Sequence, residues 1–552
     1  MGLLAFLAVL SSFAIILSVP LWDIDLWYHL ATGRYILEHK TLLSYDPFSY
    51  TTGEITPFQT VNLKGYWLAQ IIFYSAYAVF GNYGIIVLRV LLLVLALSTI
   101  FFIGQRIKAS KPILLIFIML AGFISQHFTG ERPQLFSFLL TPIVLYLLND
   151  LKKKYTCQTK ITIESFILLP LIMLVWANLH RGFIIGTALI AIFGISEAIN
   201  LFFKKELNKS FLSACAIMII AVFASFINPN TYRPYIDVVM FEGSVLQQRI
   251  SEYTPPIMLG IKYGQFLPAY WIYLLVCLSA FILHFKRIDR TNFIIFAFLM
   301  LLSMSAFRYI PFFVYSTSPY AALYLSRVIE GRKKLQITAK ALVCMTLLIT
   351  FIFAYTGFEN TLGSALKNPL NERRFPEGAV SFIHKSRPSG RIFNHFNWGG
   401  YLIWRLYPDY KVFIDSRTLN LKALSDYTYI LWDKNRWKGL LDSYDVKIII
   451  MPGLNNFTGE LYELANYLYE DKDWHLVYRD DTALIFLRGQ ENQNLISRFS
   501  LPKTEIYTHA IWQANNLLHT GLNNNHIWNA MYKAYTAKGM IEQAENAKRQ
   551  LK

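Results

Sequence analysis

Asp23 and Asp25 stand two residues apart just beyond the first apolar run, at the head of "DIDLWYHLATGRYILEHKTLLSYDPFSY". A helix is expected from Asp25 to about His39, which would set Asp25 and His29 on one face. Mixed chemistry of the same kind recurs in "SQHFTGERPQ", "WANLHRGF", "QQRISEYTPP" and "SAFRYIPFF", which contribute Glu131, Arg132, His180, Arg181, Glu252 and Arg308. Carboxylates brought in from separate loops supply hard oxygens for a divalent cation, and Arg or His can take a phosphate. Each residue also has an ordinary use. The two aspartates can cap the helix after them, Trp27, Tyr28 and Tyr35 can anchor it at headgroup level, and the others can be snorkelling or satisfied helix-end residues.

What would gather these residues is a membrane. Of the 552 residues, 55% are hydrophobic and 16% charged, against about 25% charged in a soluble globular protein; mean hydropathy is +0.36. That composition excludes an ordinary cytosolic enzyme, and no repeat of about 20–50 residues points to a solenoid. Eleven apolar runs reach bilayer-spanning length, at 2–20, 84–104, 112–128, 134–150, 163–178, 182–203, 210–227, 266–284, 291–307, 309–325 and 337–357. A further run, 64–80, is aromatic-rich and marginal in length. The net charge of +17 sits mostly in short basic clusters between the runs, the pattern of the positive-inside rule rather than of nucleic-acid binding. With a cytoplasmic amino terminus and no crossing at 64–80, the clusters at 105–111, 149–160, 204–209, 284–290 and 327–340, holding 18 Lys or Arg, all fall inside. Counting 64–80 as a crossing sends all of them outside, so it is read as a juxtamembrane or re-entrant helix. The segments 21–83, 125–133, 178–182, 228–265, 305–311 and everything beyond 358 then face outward and hold the residues with chemistry. Cys157, Cys215, Cys277 and Cys344 lie within or beside apolar runs, with no spacing that indicates a disulfide framework or a zinc site.

Three stretches carry a family resemblance. "DLWYHLATGRYILEH" resembles the first-loop signature of oligosaccharyltransferase catalytic subunits and related bacterial proteins of the GT-C superfamily of membrane glycosyltransferases. "ISEYTPP" is similar to the S-E-x-x-P stretch of their large fifth outer loop, and "NWGGYLIWRLYPDYKVFIDSRT" looks like the region around their W-W-D-Y-G motif. The chain departs from that motif where Gly399 stands in place of the Asp and Asn397 in place of the first Trp, which argues against a sequon-type peptide acceptor.

The resemblance implies an α-helical polytopic membrane protein of GT-C type, with about eleven transmembrane helices, using a polyprenyl-phosphate-linked sugar. By the same resemblance Asp25 matches the first-loop acid that binds metal or acts as the base, with Asp23 beside it, and Glu252 matches the fifth-loop Glu. Glu131 holds a place where the family commonly has an acid. Asp25, Glu131 and Glu252 are therefore the ligands the resemblance admits for a divalent metal, Mg2+ or Mn2+. The physical logic runs in parallel. Displacing a sugar from a lipid phosphate needs an acceptor activated by a carboxylate, and a cation or Arg to neutralise the leaving phosphate. Arg308, Arg181, His180 and Arg132 are the candidates for the second task.

A membrane domain over 1–357 is expected to give way to an extracytoplasmic α/β domain over 358–490. Strand-like "RIFNHF", "KVFID", "VKIIIM", "WHLVYR" and "TALIFLR" alternate with helical stretches at 399–406, 420–443 and 459–470, which predicts a mostly parallel sheet ending in a hairpin at Asp480 and Asp481. Asp415 and Arg417 fall at the carboxyl end of one strand, where ligands of open α/β sheets bind. With Trp398 they are the acceptor-side candidates, although an ordinary strand-end ion pair has the same signature. Over 491–552 the chain is helical and polar, with Trp528, Met531, Tyr535, Gly539 and Ala544 at spacings that resemble one tetratricopeptide (TPR-like) unit, expected to pack on 510–519.

The reading that results is a glycosyltransferase of a bacterial-type plasma or inner membrane, acting at its outer face. It would move a sugar from a polyprenyl-phosphate donor to a glycan, lipid or protein acceptor, among membrane lipids and without nucleic acid. A transporter or flippase of lipid-linked sugars and a non-catalytic assembly protein are the alternatives. Transporters tend to place ionisable groups near the bilayer midplane, whereas 112–128, 134–149, 210–227 and 266–283 carry no charge, and Arg89, Glu197 and Lys340 fall near ends.

Overall fold

The computed structural model describes residues 2–53, 57–159, 161–206, 208–241, 251–263, 265–284 and 288–551. Lys160, Lys286 and Arg287 of the basic clusters, and the "QQRI" before Ser251, lie outside the described residues. The chain divides into two compact units: Met1–Asp23 with Thr32–Leu42 and Thr60–Leu370, and Ile24–Ala31 with Leu43–Gln59 and Asn371–Lys552.

In the first unit, every one of the eleven apolar runs is helical. Among the described residues, five helices are long and apolar enough to cross a membrane by length and composition: Trp67–Arg106, Lys111–Phe128, Gln134–Thr156, Phe183–Lys204 and Lys333–Lys367. Gly2–Leu17, Ile163–Leu179, Lys209–Ala224, Pro268–Leu283 and Arg290–Ser305 are shorter apolar helices. The run 64–80 is helical too, but its helix breaks at Gly81, whose φ of 58° and ψ of −144° belong to a region open to glycine. The residues before Gly81 form an arm bent back so far that Gly84 lies against the Ala76 backbone.

Helix Ile310–Ile329 is buried along most of its length and packs on Trp67–Arg106, Lys111–Ser125, Gln134–Thr156, Pro268–Leu283 and Arg290–Ser305. Interhelical hydroxyl bonds let it sit there: Tyr315 meets Ser125 at 2.6 Å, and Thr317 and Ser318 meet the Tyr273 hydroxyl at 2.7 and 3.0 Å. Lys333–Gly357 is the opposite case, with Ile337, Met345, Leu348, Phe351 and Tyr355 exposed, a surface suited to lipid. Glu197 is buried and met by Lys152, Thr291 and the Tyr155 hydroxyl, while Lys152 also reaches Asp289 at 2.6 Å. This clasp joins three helices at the ends that the charge pattern assigns to the cytoplasm.

The second unit is built on a four-stranded sheet of order β1-β2-β4-β3, with β1 Arg391–Asn394, β2 Val446–Met451, β3 His475–Arg479 and β4 Leu484–Leu487. β1 and β2 are parallel, with Ile392 opposite Ile448; β2–β4 and β3–β4 are antiparallel. The turn between β3 and β4 holds Asp480, whose Oδ1 accepts the Thr482 and Ala483 amides at 2.7 Å each. The expectation of a mostly parallel sheet is corrected, and Asn394 supplies the reason. "KVFID" stays out of the ladder because the Asn394 amide takes its backbone groups, donating to the Ile414 carbonyl and accepting from the Phe413 amide, both at 2.8 Å. On its other side the stretch is met by the first outer segment: the Val412 amide donates to the Phe48 carbonyl at 3.0 Å, and the Tyr50 amide to the Val412 carbonyl at 3.2 Å. Helices Glu505–His519, Asn525–Ala537 and Ile541–Arg549 pack in succession. Ile506, Ala514, Ile527 and Met531 enter one core with Ile449 and Phe486 of the sheet.

Candidate functional site

Arg89 is the one charged residue in "NYGIIVLRVLLLVLALSTIFFIG", and a guanidinium in an apolar run must find its partners inside the protein. It pairs with the Glu131 carboxylate and donates to the Val19 carbonyl and, at 3.3 Å, to the Thr129 carbonyl. Arg89 and Glu131 are both wholly buried. Glu131 Oε2 also accepts the Asp23 amide at 3.1 Å, which fixes the chain just after the first helix. Burial pushes the Glu131 carboxyl up to about 7, against the opposing pull of Arg89.

Arg132 turns toward two other acids. Its Nε donates to Asp23 Oδ2 at 2.6 Å and its Nη1 to Glu252 Oε1 at 2.7 Å. The Asp23 side chain is 1% exposed, whereas Arg132 and Glu252 are 24% and 26% exposed. Gly130 makes the approach feasible, because a Cβ there would overlap the Asp23 carboxylate.

Glu252 sits in the single turn Ser251–Tyr253, beside which the Phe307 amide donates to the Thr254 carbonyl at 3.0 Å. That contact brings Arg308 over the Tyr253 ring, 4.6 Å from its centroid. Burial pushes the Tyr253 hydroxyl up to about 12 although Arg308 opposes it. Among the described residues, Arg308 alone of this group has no ion pair of its own; Arg89, Arg132 and Arg181 each hold a carboxylate.

Arg181 donates to Asp237 Oδ2 and to Asn62 Oδ1, both at 2.5 Å, and lies over the Tyr66 ring. The buried His180 accepts the Gly182 amide at Nδ1, 3.0 Å away, and meets the Ser137 hydroxyl there at 2.7 Å, which leaves the ring proton on Nε2.

The remaining candidates belong to the second unit. Asp25 is half-buried just ahead of helix Leu26–His39, with its carbonyl accepting the His29 amide at 3.4 Å. Trp27 locks the start of that helix against Phe375 and Tyr401, with ring centroids 5.4 and 4.9 Å away. Trp398 is buried and donates from Nε1 to the Arg374 carbonyl at 3.1 Å. Asp415 and Arg417 form the expected strand-end pair, but Asp46 extends it into a buried clasp. Arg417 donates twice to Asp415 at 2.7 Å, to the two Asp46 oxygens at 2.9 and 3.1 Å, and to Ser49 at 3.3 Å. Burial opposes ionisation of Asp415, yet Arg417 holds its carboxyl below the ordinary value. Gly399 explains the departure from the family motif: a Cβ there would lie 2.6 Å from the Asp415 Cβ, so an Asp does not fit.

No family model matches the chain, and no curated protein matches it in sequence. Among solved structures it is similar to the archaeal oligosaccharyltransferase AglB from Archaeoglobus fulgidus in complex with an inhibitory peptide and a dolichol-phosphate, with a TM-score of 0.51. The oligosaccharyltransferase of the same organism in the apo form gives 0.54; in both cases identity is 12%, over 88% of this chain and 74% of the other. It is also similar to apo ArnT from Cupriavidus metallidurans, with a TM-score of 0.51 and 11% identity over 91% of this chain and 99% of that one. AglB and ArnT are GT-C glycosyltransferases. The chain has a GT-C-like fold.

This GT-C-like protein is an integral membrane protein. Two of the three residues expected to bind a divalent cation, Glu131 and Glu252, are engaged by arginines instead. Among the described residues no three His, Cys, Asp or Glu converge as ligands. Sequence reasoning had a usable signal for Arg89, a lone guanidinium in an apolar run, but nothing local that names Glu131 as its partner. Asp46 and Asp237 carried no signal at all; Asp46 meets Arg417 across 371 residues of chain.

Proposed function

We propose that this protein is a glycosyltransferase that moves a sugar from a polyprenyl-phosphate-linked donor to a glycan, lipid or protein acceptor at the outer face of a plasma or inner membrane, with the second unit extracytoplasmic. The observation that carries the reading is Arg308. A guanidinium already in an ion pair must release a carboxylate before it takes a phosphate. Arg308 instead lies over the Tyr253 ring, its Cζ 4.6 Å from the centroid, and holds no carboxylate among the described residues, so its N–H groups can serve a bidentate phosphate. The likeness in fold to AglB, whose structure contains a dolichol-phosphate, supports a polyprenyl-phosphate donor.

In this reading Arg308 takes the leaving phosphate, and Arg132, a quarter exposed between Asp23 and Glu252, adds positive charge beside it. Asp25 activates the acceptor. Asp415 and Arg417, through Asp46, and Trp398, against the backbone of Arg374, hold the second unit together around the loop that carries Asp25. Arg181 and His180 shape the neighbouring outer loop through Asp237, Asn62 and Ser137.

Charge-assisted hydrogen bonds contribute about 1.5–3 kcal/mol. Arg308→Ala is therefore expected to raise the donor concentration at half rate by roughly 10- to 100-fold while acceptor dependence stays unchanged. Arg308→Lys should fall between the two, since an ammonium cannot offer the fork. An unchanged donor dependence in Arg308→Ala would overturn the assignment, and a labelled sugar that crosses the bilayer still attached to its lipid would favour a flippase.

A further inference from the structure

We propose that Arg132 stands in for a divalent cation between Asp23 and Glu252, so that this cluster binds no metal and works in the presence of chelator. The inference rests on the glycosyltransferase reading only for its catalytic consequence.

The argument begins with charge. Asp23, Glu131 and Glu252 bring three carboxylates to the outer end of the first unit, and two guanidiniums answer them: Arg89 on Glu131, Arg132 on both Asp23 and Glu252. These five groups sum to one negative charge when fully ionised, and Arg308, whose charge also acts on Glu252, brings the six to neutrality. A divalent cation added on top would leave the cluster positive, with Arg132 beside it. A cation that displaced Arg132 would strand a guanidinium that cannot lose its proton.

Geometry points the same way. Mg2+ demands near-octahedral oxygens at about 2.0–2.1 Å, and Ca2+ takes about six to eight oxygens. The Asp23 and Glu252 oxygens instead sit 2.6 and 2.7 Å from two different nitrogens of one planar group. The backbone fixes that group: the Arg132 amide donates to the Gly130 carbonyl at 3.0 Å and the Arg132 carbonyl accepts the Leu135 amide at 3.1 Å. Glu131 cannot swing in to complete a ligand set, because its two oxygens are already held by Arg89 and by the Asp23 amide. Arg132 thus joins two loops distant in sequence, as a bridging cation would, but with a charge that belongs to the chain.

The test is binding of Mn2+ to the purified full-length protein in detergent after chelator treatment, read as free Mn2+ by electron paramagnetic resonance. Wild type is expected to bind no equivalent up to about 1 mM, the weak end of protein sites for hard cations. Arg132→Gln, which takes the guanidinium away from Asp23 and Glu252 together, is expected to gain one equivalent, and the double variant Arg132→Gln with Glu252→Gln to lose it again. Arg132→Lys keeps the charge and should stay empty. One equivalent bound by wild type and lost in Glu252→Gln would overturn the proposal without depending on how any Arg132 variant folds. No binding in well-folded Arg132→Gln would overturn it too, since Arg132 would then not be what excludes the cation. If sugar transfer is detected, it should persist in chelator; if none is detected in any condition, the glycosyltransferase reading fails while the Mn2+ results still decide the role of Arg132.

Discussion

Arg417→Met is the sharpest perturbation of the second unit. The Arg417 side chain is 5% exposed and donates to Asp415, Asp46 and Ser49 at 2.7–3.3 Å. Its rings of contact are Tyr28 and Phe48, with centroids 5.9 and 5.4 Å away. Removing it leaves two buried carboxylates facing each other with no cation, and breaking a buried pair in this way costs about 3–5 kcal/mol. For a domain of roughly 150–250 residues, each kcal/mol moves Tm by about 2–4 °C, so a fall of roughly 6–20 °C is expected. Arg417→Lys keeps the charge but not the two forks and should lose less. The double variant Arg417→Met with Asp46→Leu removes one of the stranded charges and should recover part of the loss. The assay is tryptophan-fluorescence melting of the full-length protein in detergent. A shift below about 1 kcal/mol for Arg417→Met would show that the clasp is exposed to water in solution and that the first outer segment is not held there.

Three further outcomes follow from the same structure. Arg89→Gln should destabilise the first unit by about 3–5 kcal/mol by leaving Glu131 buried without its cation, and Arg89→Met with Glu131→Leu should restore most of it; detergent melting curves would separate the two. Burial depresses His395 to about 3 and His509 to about 4, from an ordinary 6.5, so the unfolded chain binds protons that the fold refuses. Stability is then full above pH 6.5 and falls on acidification, by roughly 1.5–2 kcal/mol per histidine at pH 5; a melting series from pH 7 to 5 should show the slope, and His395→Gln should flatten it. A reporter fused after Gly363 is expected to be active outside the cytoplasm and one fused after Lys153 inside; two cytoplasmic signals would contradict the charge-parity topology.

The helices were legible because apolar runs of spanning length have few alternatives, and each of the eleven became a helix. What composition could not supply was pairing. Arg89 announces a need for a partner, yet Glu131 could be identified only once helix packing put the loop after Ser125 beside the first helix. "KVFID" has the residues of a strand, and a single amide side chain, Asn394, takes the bonds a ladder would have used. Phe48 to Thr51 alternate apolar and polar residues over only four positions, and nothing in them names Val412 as the partner that makes them an edge of the second unit. Asp23 and Asp25, two residues apart, fall in different compact units: Asp23 is bound by Glu131 and Arg132, while Trp27 two residues beyond Asp25 packs on Phe375 and Tyr401.

The most direct measurement is transfer itself. Purified protein in lipid is incubated with polyprenyl-phosphate sugars labelled in the sugar and with membrane extracts as acceptor, and the label is followed from the donor to any product. The account predicts transfer by wild type, a loss of orders of magnitude in Asp25→Asn with normal insertion and purification, and a reduced rate at low donor in Arg308→Ala. Transfer at the full wild-type rate by Asp25→Asn would remove the assigned base, and no transfer from any donor by well-folded wild type would contradict the account at its centre.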